Sequence, residues 1–112
     1  MGDRLAKKTR EQVASFVEPG ETVRHAVRAV ANAGDGPNQT VVLTDQAVYI
    51  MSQKAFSGAT KGVEQRIALG SVPLTIGKGP FRTAMLSVGD RTLRVPVPFK
   101  AEAESLVAAV GG

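Results

Sequence analysis

Apolar positions follow a helical period at each end of this chain and an alternating one between. Near the start, Leu5, Thr9, Val13 and Phe16 fall at spacings of four, four and three, with Ala6 and Val17 beside them. That draws one stripe along a helix over residues 3–17. Asp3 suits its cap, and Pro19 and Gly20 its stop. At the other end Phe99, Ala103, Leu106, Val107 and Val110 repeat the stripe and predict a closing helix over 99–110. Pro98 suits its first turn, Glu102 and Glu104 its positive end, and Gly111 its stop.

The middle of the chain reads as strands. Residues 21–33 make the first, with Val23, His25 and Val27 on one face and Arg24 and Arg28 on the other. Gly34 to Asn38 has the composition of a loop. Two apolar runs then flank Thr44-Asp45-Gln46 within residues 39–52. Val, Ile, Thr and Tyr suit a pleated surface, and Asp and Gln a reversal, so this is a β-hairpin with both arms buried. Asp45 is expected to hydrogen-bond its own turn. Gln53 to Gly62 reads as a loop. Beyond it, Val63, Gln65, Ile67 and Leu69 form one strand face. Val72, Leu74 and Ile76 form another, with Pro73 pointing to an edge or bulge. Residues 77–82 turn the chain. Ala84, Leu86 and Val88, then Leu93, Val95 and Val97, are the inward sets of the last strands. Seven short strands between two helices result, and antiparallel strands in that number need closure or a second sheet to hide their edges.

Composition narrows the class. At 112 residues with 43% hydrophobic content, the chain is long enough for one core and too apolar for disorder. There is no cysteine, which removes disulfides, thiolate metal sites and a cysteine nucleophile. The first residues lack the apolar stretch of a signal peptide, and the longest apolar run, Ala47 to Met51, is too short to cross a bilayer. A cytoplasmic protein is the expectation. His25 is the sole histidine, no Gly-x-Ser-x-Gly elbow occurs, and the glycines and Lys78 at 77–82 do not make a P-loop. No catalytic residue, metal site or cofactor is therefore expected.

Three stretches carry a resemblance. Val17-Glu18-Pro19-Gly20-Glu21-Thr22-Val23 is similar to the Pro-Gly-Glu entry to the first strand of the bacterial pleckstrin-homology-like (PH-like) domain family. Val42-Leu43-Thr44-Asp45-Gln46-Ala47-Val48-Tyr49-Ile50 resembles its Leu-Thr-Asp hairpin, with Gln46-Ala47 where an arginine is common. Residues 52–61 and 63–67 look like the loop and strand that follow. The resemblance implies a bent seven-stranded antiparallel barrel capped by the C-terminal helix, spanning 18–112, with residues 1–17 as an additional N-terminal helix. It implies no activity. The lysine and arginine pattern that holds phosphoinositides in eukaryotic relatives does not carry over, because the loop at 34–38 holds Asp35 and no cation.

The functional expectation is a non-catalytic module that binds a protein partner or a second copy of itself. The alternative is a peripheral adaptor on the inner face of the membrane, making weak contact with anionic lipid. Net charge is +4, and the first ten residues hold Arg4, Lys7, Lys8 and Arg10 against Asp3. The contact residues proposed for anion or partner are Arg4, Lys7, Lys8, Lys54, Phe56, Lys61, Lys78 and Arg82. Nucleic acid is disfavoured by 4% aromatic content, with one Tyr and no Trp for stacking.

Overall fold

The computed structural model describes residues 2–54, 59–71 and 73–111. In chain order it has helix α1 (Gly2–Val13), strands β1 (Val23–Val30), β2 (Asn38–Thr44), β3 (Ala47–Gln53), β4 (Thr60–Ala68), β5 (Leu74–Lys78), β6 (Ala84–Val88) and β7 (Arg91–Val95), and helix α2 (Lys100–Gly111). The strands form one antiparallel sheet in the order β4-β3-β2-β1-β7-β6-β5.

The expected barrel does not close. β4 and β5 are free edges, and the two halves of the sheet join at a single aligned pair, Val30 and Arg94. Where β4 ends and β5 begins no strand pairing joins them, and Ile67, Leu69, Leu74, Val88 and Val110 line a small apolar gap. The connection there runs through Gly70 and Pro73, and proline has no N–H to give a neighbouring strand.

The central hairpin is buried on both faces, which is why its arms read as apolar runs. Val41, Leu43, Val48 and Ile50 face an inner core shared with Val27, Leu86, Leu93, Phe99 and Leu106, under α2. Val42, Ala47, Tyr49 and Met51 face a second core with Ala26 and Val13, under α1. The N-terminal stripe therefore packs on its own sheet: Thr9 is 3% exposed and Val13 1%. Covering Val13 alone contributes about 1.5–3 kcal/mol. The side chain of Leu5, all of Val72 and the Phe56 loop lie outside the described residues. Helix α1 begins at Gly2, which puts the Asp3 backbone inside its first turn and not at the expected cap position.

Two β-bulges overturn parts of the face assignment. The register shifts between Val23 and His25, leaving Arg24 as an extra residue. Val23 consequently packs with the outer core and Val27 with the inner one, although they are four apart. A second shift leaves Glu64 extra between Val63, opposite Met51, and Gln65, opposite Ile50. Val63 and Ile67 are thereby sent to opposite faces, and Val63 is 43% exposed. Other boundaries also move. β1 is shorter than 21–33, and Asn32–Gly34 forms a 3₁₀ turn. β4 starts at Thr60, so Lys61 stands on a strand and not in a loop. β7 ends at Val95, and Val97 turns outward at 52% exposure in the 3₁₀ turn Val97–Phe99.

Candidate functional site

Two of the three stretches that carry the family resemblance are bonded to each other. Glu18 to Glu21 make a tight turn closed by Glu21 N–H donating to the Glu18 carbonyl at 3.1 Å. Pro19 presets its first central position, and Gly20 occupies the second at φ +88°, where other residues are strained. The turn delivers Glu21 against the hairpin. Its carboxylate accepts hydrogen bonds from Thr44 Oγ1, from Tyr49 Oη at 3.0 Å and from Arg66 Nη2 at 2.7 Å. Tyr49 Oη in turn accepts from Glu18 N–H and Arg66 Nε, each at 3.0 Å. The Arg66 guanidinium also lies 5.7 Å from the Tyr49 ring centre.

The Glu21 side chain is 1% exposed. Burial is the largest single influence and pulls its carboxyl up. Hydrogen bonds from Thr44, Arg66 and Tyr49, with the charge of Arg66, together outweigh burial and hold it below its ordinary 4.5. Arg66, bonded to Glu21 and Tyr49, is pushed up. One expectation is corrected here. Asp45 does not bond its own turn: its Oδ1 accepts from Thr22 N–H at 2.9 Å. Thr44 Oγ1 closes the turn by accepting from the Gln46 and Ala47 amides at 3.1 and 3.0 Å.

A second polar junction joins the helices to β1. Glu102 Oε2 on α2 accepts from Arg10 Nη1 on α1 at 2.8 Å and from Ala26 N–H at 3.3 Å, and lies 3.2 Å from His25 Nδ1. His25 therefore has a structural partner. Among the described residues, no group of three or more His, Cys, Asp or Glu side chains could hold a metal ion.

A cavity of about 350 Å³ opens between the β1–β2 loop, β4 and β7, lined by Asn32, Pro37, Gln39, Glu64, Arg91 and Thr92 among others. Gln39 Nε2 donates to Glu64, which also accepts from Ser52 at 2.7 Å. Gln39 Oε1 is buried with no partner among the described residues. Arg91 offers a cation and Glu64 a carboxylate, so the cavity is not a bare anion site.

The expected contact cations are not brought to one place. Arg4, Lys7 and Lys8 are exposed on α1. Lys54 and Lys61 flank the β3–β4 connection, where Lys54 N–H donates to the Ala59 carbonyl at 2.8 Å. Lys78 ends β5 and Arg82 lies in the β5–β6 connection, on the other edge of the sheet. Phe56 lies outside the described residues.

The aromatic residue that stands out is not among the expected contact residues. Phe81 is 92% exposed, between Pro80 and Arg82 in the β5–β6 turn. The signal was there in the sequence: a Phe set among Gly77, Gly79 and Pro80, off the alternation that buries Ala84, Leu86 and Val88. Among the described residues, no helix is long and apolar enough to cross a membrane. No protein-family model matches this sequence, and no curated protein matches it.

Proposed function

We propose that this chain is a non-catalytic interaction module with a PH-like fold, and that it takes a protein strand, from a partner or a second copy of itself, along the free β4 edge. The observation that carries this reading is the state of that edge. β4 pairs with β3 on one side only. After the Glu64 bulge, Gln65 to Ala68 run in regular register with Ile50 to Ala47, so their outer backbone groups stand in order for another strand. Charged side chains commonly guard such an edge. Along this run the Glu64 carboxylate is turned to Gln39 and Ser52, and Arg66 to Glu21 and Tyr49, while exposed Lys61, at a further bulge, guards only the start of β4. Val63 and Leu69, 43% and 41% exposed, flank the run and give an added strand apolar surface to meet. The PH-like assignment is supported by seven strands followed by a helix and by the direct bonding of the Pro-Gly-Glu and Leu-Thr-Asp segments.

Light scattering at low and high protein concentration tests it, with the double variant Val63→Lys, Leu69→Lys as control. Self-association should rise with concentration in the wild type and fall in the variant. A strict wild-type monomer removes the second-copy version. A partner taken from the native host should then be captured by wild-type bait and not by the variant. Equal capture by both would remove the β4 edge as the contact.

A further inference from the structure

We propose that the β5–β6 turn is a membrane-contact point, which sets the Phe81 ring into the interfacial layer of an anionic phospholipid surface while Lys78 and Arg82 meet its headgroups. This rests on residues separate from the β4 edge.

The turn is built to project. Thr83 N–H donates to the Pro80 carbonyl at 3.0 Å, and Gly79 N–H donates to the Thr83 carbonyl at 2.9 Å. Phe81 and Arg82, the two central residues, sit at φ +54° and +67°. Such a pair of positive angles is normally given to Asn and Gly. A bulky aromatic held in this conformation at 92% exposure gains nothing from the fold, so its benefit lies outside it.

The surroundings fit lipid. Lys78 and Arg82 are exposed and enter no ion pair among the described residues. From Gln65 to Gly89 the chain holds no carboxylate, so nothing acidic in that segment opposes approach to negative charge. Val97 adds a second apolar group. Ala84 pairs with both Lys78 and Val95, and antiparallel β6 and β7 leave that row in the same direction, one toward Arg82 and the other toward Val97. The Val97–Phe99 turn also touches α1, whose Arg4, Lys7 and Lys8 are exposed. An exposed ring flanked by Lys78 and Arg82 suits a fluid anionic layer, where apolar insertion and charge attraction act together.

The chain has no tryptophan, so Phe81→Trp places a single reporter at the tip. With phosphatidylglycerol-containing vesicles, emission from that indole should shift to the blue and be quenched by brominated acyl chains; with phosphatidylcholine alone it should not. In co-sedimentation, Phe81→Ser should weaken binding to the anionic vesicles about tenfold or more. Lys78→Gln and Arg82→Gln should each weaken it about fivefold, and added salt should reduce it. All four side-chain changes are at exposed positions, and a normal melt confirms that folding is intact. Absence of wild-type binding, an unshifted indole, or equal binding by Phe81→Ser would each overturn the proposal. So would loss of self-association in Phe81→Ser without any vesicle binding, which would make the ring a protein contact.

Discussion

Replacing Glu21 by Gln keeps the shape of the residue that joins the chain's entry turn to its central hairpin, and removes the charge. Glu21 accepts from Thr44, Tyr49 and Arg66. An amide keeps one oxygen, and its NH₂ group then faces Tyr49 and Arg66, which already act as donors there. The retained oxygen still accepts from Thr44, so the loss at a side chain that is 1% exposed is the Tyr49 arm, at about 1–2 kcal/mol. Arg66 is exposed enough to turn to water, so its arm is left out of that figure.

The pH dependence follows from the lowered folded-state pKa. The carboxylate's stabilisation is fully present above the unfolded value of 4.5 and is lost as pH falls through the lower folded value. Wild type should therefore exceed Glu21→Gln by that margin at about pH 7, and the gap should narrow in acid, at a pH well below 4.5. Urea titrations of both proteins at the two pH values measure it, with equal slopes required for the comparison. A gap of the same size at both pH values would refute the role of ionisation. Equal stability at neutral pH would refute the lock itself.

Leu43→Asp should abolish cooperative unfolding, because a charge enters the inner core at a cost of several kcal/mol; a near-normal melt would place Leu43 on the wrong face. Val13→Ala should destabilise by about 2 kcal/mol in a urea titration, since the residue is 1% exposed beneath its own helix; no change would mean that α1 does not pack on the sheet in solution. Phe81→Asn should stabilise by about 1 kcal/mol, by relieving the left-handed strain at φ +54°, while vesicle binding falls; an unchanged or lower melting temperature would deny the strain.

The hairpin, the closing helix's stripe, Thr9 and Val13 of the first one, and the inward sets of β6 and of β7 as far as Val95 are legible because their apolar patterns run unbroken. Where an extra residue enters a ladder, parity inverts without any mark in the alternation. Arg24 and Glu64 look like ordinary outward polar positions, so Val23 and Val63 were assigned to faces they do not occupy. Only a partner strand reveals a bulge, and the partner is distant in sequence. Asp45 departs from its expected partner for a related reason. A local side-chain bond is the default expectation for a turn, whereas Thr22 arrives from another segment. Of the contact residues, cation identities were readable, but their separation onto α1 and two different sheet edges depends on strand order, which composition does not encode.

Strand order also decides what α1 can do. A helix with an apolar stripe could serve a partner or its own domain, and both uses need the same face. Val13 is already covered, and beneath it lie Val42, Ala47, Tyr49 and Met51. Releasing α1 to a partner would expose that whole surface, at about 1.5–3 kcal/mol for each large side chain uncovered. Several such losses approach the total stability of a domain, about 5–15 kcal/mol. It would also strip Arg10 from Glu102, a carboxylate that simultaneously holds the Ala26 amide. Recognition by the stripe would therefore compete with folding itself. The outward side of α1, with Arg4, Lys7 and Lys8, has no such conflict, and neither do the Phe81 turn and the β4 edge. Contacts made there leave the two cores closed, so binding draws on surface that folding does not use.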